Sequence, residues 1–255
     1  MATTHPVLVL FPGAWGNQTK ELATWWMRHV IQHFQREYQI VVLTYEGKSL
    51  DDYVASSLRQ LEKIPDGSLA LCYSMGAQIA RGVAAKRPTL FRRVALFSGL
   101  ERGGVRISVF LKGLTFMLVP MLRTLVGQPL KLDTIEQVKR VFLRTPRYKS
   151  DATLLQQVHA ERNKLAQDLL DHRLVPEPAW PMLRLFLPGL RQHFPPLTCE
   201  ILVVIPDEDF ILPTPIYPDE RVTRHNISGD HATILRGETG LSHNLSRLGT
   251  WLSLS

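Results

Sequence analysis

Three short stretches of the 255-residue chain hold side chains suited to nucleophilic chemistry. The first is Leu71-Cys72-Tyr73-Ser74-Met75-Gly76-Ala77. A serine on a sharp turn between a strand and a helix is pushed out above the strand end, and the helix N-terminus favours negative charge developing nearby. Gly76 leaves room for the turn to close, and Cys72 takes the place of the first glycine in the common G-x-S-x-G form. A serine hydroxyl attacks only when a base accepts its proton, and the base needs an acid to orient it. The second stretch, Pro206-Asp207-Glu208-Asp209-Phe210, offers three carboxylates. Asp209 is the first choice because an apolar run and Pro213 follow it directly, with Asp207 and Glu208 as alternatives. The third, Ser228-Gly229-Asp230-His231, supplies the base, His231. His225 falls within a predicted strand and is less suited to that role.

The order Ser, Asp, His along the chain is the one expected for an open α/β sheet, whose sites lie at the C-terminal ends of its strands. A tetrahedral intermediate also needs two N–H donors. Met75, the residue after the serine, supplies one. The other comes from Phe11-Pro12-Gly13-Ala14-Trp15-Gly16, where Gly13 permits close approach and Ala14 is the expected donor, with Trp15 the neighbouring alternative. No Gly-rich phosphate loop and no Cys/His cluster of zinc spacing is present, so the reading calls for neither metal nor organic cofactor.

The elements that would hold these groups follow from hydrophobic patterning. Continuous apolar runs of strand length occur at 7–11, 40–45, 69–73, 93–97 and 200–205, and a further strand is predicted over 221–227. Helical spacing occupies 19–34, 51–63 and 75–86, and a closing helix is expected over 238–251. Strands apolar on both faces and separated by helices indicate an α/β fold, with a mostly parallel sheet of about six strands covered on both sides.

Between the fourth and fifth strands the pattern changes. Residues 100–195 show helical stretches broken by Gly113, Pro120, Pro129, Pro146 and Pro176, and no strand between them. The predicted organisation is a core of residues 1–99 and 196–255 with a helical cap of residues 100–195. Its apolar stretch 105–126 is interrupted by Lys112, Pro120 and Arg123, so it reads as a lid or core helix and not as a membrane span. Phe110, Leu114, Phe116, Met117 and Met121 would line an apolar acyl pocket. The first residues carry no secretory signal pattern, and the cytoplasm is the default expectation.

Charge divides along the same boundary. The chain has 30 Lys+Arg and 23 Asp+Glu, a net +7. Residues 100–195 hold 15 of the former and 8 of the latter, so the core sums to zero and the cap carries the excess. A solvated basic surface accounts for this, as does a docking face for an anionic partner. Nucleic acid is the weaker reading, because no helix-turn-helix, zinc or RNA-binding signature accompanies the charge.

These motifs resemble those of the α/β-hydrolase superfamily over nearly the whole chain. The resemblance implies an α/β-hydrolase fold shortened at its front, a helical cap after the fourth strand, and a Ser74–His231–Asp209 triad with Ala14 and Met75 N–H groups as the oxyanion hole. Phe11-Pro12-Gly13-Ala14 is similar to the start of stand-alone thioesterases serving polyketide and peptide synthases. The elbow and cap are similar to those of capped esterases, including carrier-protein methyl ester esterases. The expected reaction is hydrolysis of an apolar acyl ester or thioester through an acyl-enzyme. The basic cap would suit an acidic carrier protein, coenzyme A or an anionic membrane surface. A lyase or C–C bond hydrolase using the same triad, or a non-catalytic small-molecule binding protein, are the other readings.

Overall fold

A computed structural model describes residues 5–14, 17, 19–99, 163–164, 166–168, 170–171, 194–206, 221–227, 233–236 and 241–253. Within them six strands form one sheet: β1 (Val7–Phe11), β2 (Gln39–Val42), β3 (Ser68–Tyr73), β4 (Phe91–Phe97), β5 (Glu200–Pro206) and β6 (Val222–Ile227). Their order across the sheet is β2-β1-β3-β4-β5-β6, and every pairing is parallel. The order reverses direction beside β1, so the crevice at the strands' C-terminal ends lies over β1 and β3.

The central strands are buried on both faces, which explains their unbroken apolar runs. Alternation then sorts each strand between two cores. Val7, Val9 and Phe11, with Ala70, Cys72, Val94, Leu96, Ile201 and Val203, pack on one side under α3 (Leu50–Gln60) and α4 (Gly76–Lys86). Leu8, Leu10, Leu71, Tyr73, Phe97, Leu202 and Val204 face the other way. That second layer is closed by α1 (Lys20–Trp26), α2 (Arg28–Phe34), α5 (Thr233–Arg236) and α6 (Leu241–Ser253). Complete burial of side chains such as Phe11, Phe34 and Phe97 contributes about 1.5–3 kcal/mol each.

The helix expected over 19–34 is two helices with a break at Met27, whose backbone is non-helical, and Trp26, Met27 and Val30 are all buried in the core. Its start is set by Thr19, whose hydroxyl accepts from the Leu22 N–H at 3.2 Å. Ser49 caps α3 in the same way, accepting from the Asp52 N–H, and Asp51 and Asp52 complement the helix dipole.

The cap expected over 100–195 lies mostly outside the described residues. Residues 163–164, 166–168 and 170–171 are helical, with Ala166 fully buried and Leu170 packed in the α1/α2 layer. Where the chain re-enters the core, Arg81 of α4 is buried and donates to the carbonyls of Phe194 and Pro195. Among the described residues no helix is long and apolar enough to cross a membrane.

Candidate active site

Ser74 is the residue after β3, and its φ is +51°. Left-handed backbone at a non-glycine residue costs about 1–3 kcal/mol and persists only where the surroundings over-determine it. Here the surroundings are specific. The Ser74 N–H donates to the Phe97 carbonyl at 3.2 Å, which extends the β3–β4 ladder by one residue. The Ala77 N–H then donates to the Ser74 carbonyl at 3.1 Å and starts α4. The chain therefore turns sharply from strand to helix on this one residue, and Ser74 is half-buried while Tyr73, Met75 and Gly76 are buried.

The turn can be this tight because of two glycines. A Cβ on Gly76 would lie 2.3 Å from the Phe11 carbonyl oxygen and 2.8 Å from that of Pro12. The first turn of α4 is thus seated directly on the backbone that leaves β1. A Cβ on Gly13 would lie 2.8 Å from the Tyr73 ring and 3.2 Å from the Ser74 Cβ. Position 13 therefore has no room for a side chain on the side that faces Ser74. Ala14 follows, half-buried.

Helix α4 has no side-chain cap at its start and no acidic residue in its first turn. Among the described residues, no acceptor takes the N–H of Met75 or of Ala14. Met75 follows Ser74 directly, and Ala14 follows the glycine that packs against it. An uncapped helix N-terminus adds its own preference for negative charge.

Asp209 and His231, with their neighbours Asp207, Glu208 and Trp15, lie outside the described residues. The strands that precede the two groups are described: β5 ends at Pro206 and β6 at Ile227, both at the C-terminal end of the sheet, where Ser74 also lies. His225 sits inside β6, and burial followed by repulsion from Arg247 holds its imidazole below the usual histidine range. Cys199 is no rival nucleophile, since burial pushes its thiol up to about 11. Among the described residues no group of His, Cys, Asp and Glu could hold a metal ion.

Several neighbours of the site were invisible to motif reasoning. Ser98, at the end of β4, is buried and also has positive φ, +48°, and its N–H donates to the Val204 carbonyl at 3.1 Å. It stands next to Ser74 across the sheet, one residue beyond the Tyr73–Phe97 pair. Tyr45 donates its hydroxyl to the Pro12 carbonyl at 3.0 Å, and Asn17 donates its amide to the Gly13 carbonyl at 2.8 Å. The Tyr45 contact spans 33 residues of chain.

No protein-family model matches the chain, and no curated protein matches it. Solved structures do. The chain is similar to the proposed non-heme bromoperoxidase BpoC from Mycobacterium tuberculosis H37Rv, with a TM-score of 0.68 and 14% identity over 98% of this chain and 94% of the other. It is similar to an extracellular α/β-hydrolase from a Paenibacillus species, with a TM-score of 0.59 and 17% identity over 94% and 97% of the two chains. It is also similar to the thioesterase domain from the curacin biosynthetic pathway, with a TM-score of 0.56 and 17% identity over 95% and 91%. The six-stranded parallel sheet, the strand-to-helix turn at Ser74 and these likenesses together define the class: the chain has the α/β-hydrolase fold.

Proposed function

We propose that the protein is a serine hydrolase that cleaves a carboxylic ester or thioester of an apolar acyl group. The observation that carries this reading is Ser74, held at a φ of +51° between β3 and α4, with no room for a side chain at Gly13 beside it. Strain of that kind on a serine at a tight strand-to-helix turn is what a nucleophile presented above a sheet needs.

In this reading Ser74 Oγ attacks the acyl carbonyl carbon while His231 accepts its proton, and Asp209 orients and stabilises the imidazolium. The N–H groups of Ala14 and Met75 hold the oxyanion. Collapse of the tetrahedral species expels the alcohol or thiol, protonated by His231, and leaves the acyl group on Ser74. Water, activated by the same histidine, then releases the acid and regenerates the serine. Residues 100–195 form the cap, and their excess positive charge steers an anionic carrier, such as an acidic carrier protein or coenzyme A, to the acyl site.

Ser74→Ala tests the reading. Hydrolysis of p-nitrophenyl acyl esters and acyl thioesters should fall to the uncatalysed level in a protein that still folds. Activity retained by the variant would refute it. A series from acetyl to palmitoyl then measures the pocket, and a clear preference for acetyl would refute a large apolar one.

A further inference from the structure

We propose that Asn17 is a positioning residue for the oxyanion site, setting the direction of the Ala14 N–H through the Gly13–Ala14 peptide; the proposal rests on the serine hydrolase reading. A trans peptide is planar, so its carbonyl and its N–H point in opposite directions. None of the described peptides is cis. Whatever holds the Gly13 carbonyl therefore also aims the Ala14 N–H. That holder is Asn17, which is completely buried and donates its Nδ2 to the Gly13 carbonyl oxygen at 2.8 Å.

The clamp is anchored away from the nucleophile. The Asn17 carbonyl accepts from the Tyr45 N–H at 3.0 Å, just beyond the end of β2. The same Tyr45 donates its hydroxyl to the Pro12 carbonyl at 3.0 Å, and its ring stacks on Tyr53 of α3 at 5.5 Å between centroids. Two successive carbonyls of the loop, those of Pro12 and Gly13, are thus engaged by side chains. On the other side, Gly13 is in contact with Ser74 and the ring of Tyr73. Glycine at position 13 makes that contact possible but leaves both flanking peptides free to rotate. The loop therefore needs an external hydrogen bond to fix the plane of each peptide, and Asn17 supplies it for the one that carries the oxyanion donor.

A donor that is preorganised stabilises the oxyanion without reorganising during the reaction, and its loss appears in the chemical step. The test compares wild type, Ser74→Ala, Asn17→Ala and the nearly isosteric Asn17→Asp, which keeps the shape and removes the amide donor. Each is measured for p-nitrophenyl ester hydrolysis, inhibition by an aliphatic trifluoromethyl ketone and thermal melting. The ketone binds serine hydrolases as a tetrahedral adduct and so reports the oxyanion site directly. The expected result for both Asn17 variants is a fall in kcat of about 10–100-fold with KM within about twofold, and a matching loss of ketone affinity. A purely structural role would lower the melting temperature and leave kcat of the folded fraction and ketone affinity unchanged. Unchanged kcat in a folded variant, a loss confined to KM, or failure of both variants to fold would overturn the proposal. If Ser74→Ala keeps hydrolytic activity, the hydrolase reading itself falls and this proposal falls with it. If Ser74→Ala is inactive while the Asn17 variants keep wild-type kcat, the error lies with Asn17 alone.

Discussion

Gly76→Ala is a single-methyl perturbation whose consequences can be worked from the geometry. The added Cβ would stand 2.3 Å from the Phe11 carbonyl oxygen, 2.8 Å from that of Pro12 and 2.9 Å from the Phe11 carbonyl carbon. Non-bonded heavy atoms settle near 3.5 Å, so about 1 Å of separation has to be found. All three atoms are backbone, and no flexible side chain can swing aside. Phe11 cannot retreat, because β1 is paired on both edges, Phe11 itself opposite Cys72. The start of α4 must lift instead, and it carries Ser74 and Met75 away from Ala14. Overpacking of this kind costs about 1–3 kcal/mol. For a chain of this size that corresponds to a melting temperature lower by roughly 2–12 °C. Misplacing reacting groups by about 1 Å can cost about 100-fold in rate. The control is Gly67→Ala, which has positive φ, +78°, but nothing within 4 Å of the new methyl group. Backbone strain of about 1–2 kcal/mol should lower its melting temperature while kcat stays at the wild-type value. Melting followed by circular dichroism and kcat on a p-nitrophenyl ester separate the two effects. A folded Gly76→Ala protein with wild-type kcat would refute the reasoning, as would an equal loss of kcat in Gly67→Ala.

Arg93 pairs with Glu200, donates to the Trp251 carbonyl at 2.9 Å and lies over the Trp251 ring at 5.5 Å. It ties β4, β5 and α6 together at the end of the sheet remote from Ser74. Because Glu200 is largely exposed, Arg93→Met should cost only about 1–2 kcal/mol in a denaturant titration, with kcat unaffected. The Asp66 carboxyl is held below its ordinary range by hydrogen bonds from the Thr89 hydroxyl and then Arg87. Its contribution is therefore present above the ordinary carboxylate pKa, about 4, and is lost as pH falls through the lowered folded value. Asp66→Asn should be less stable than wild type at pH 6, and the two melting curves should converge on acidification. If the basic segment 100–195 steers an anionic carrier as proposed, charge reversal at Arg123, Arg140 and Arg144 should lower kcat/KM for carrier-linked substrates at low salt and spare small neutral esters; an equal loss for both would refute that proposal.

Much of the sheet could be read in advance because its strands are buried on both faces. Val7–Phe11 and Ser68–Tyr73 are buried at every position, so they stand out as unbroken apolar runs. The break at Met27 was not legible, since Leu22, Trp26 and Val30 keep helical spacing across it. β6 was expected over 221–227 and found at Val222–Ile227, although it is a largely exposed edge strand whose sequence Val-Thr-Arg-His-Asn-Ile has no continuous apolar run. At the site, Ser74, Met75 and Gly76 were legible because the strand-to-helix turn has a local signature. The work of Tyr45 and Asn17 was not, because a tyrosine hydroxyl or a buried amide shows its partner only once distant residues are brought together. Ser98 escaped for another reason: a positive φ at a serine has no sequence mark. Asp209 and His231 rest on chain order and on the ends of β5 and β6.

The central claim is that Ser74 is the nucleophile, and an active-site-directed fluorophosphonate tests it most directly. The account predicts one phosphonyl group per chain, located on Ser74 by peptide mass spectrometry, with ester hydrolysis lost in proportion to labelling. Labelling at another residue, or full hydrolytic activity in a protein whose Ser74 is modified, would contradict it.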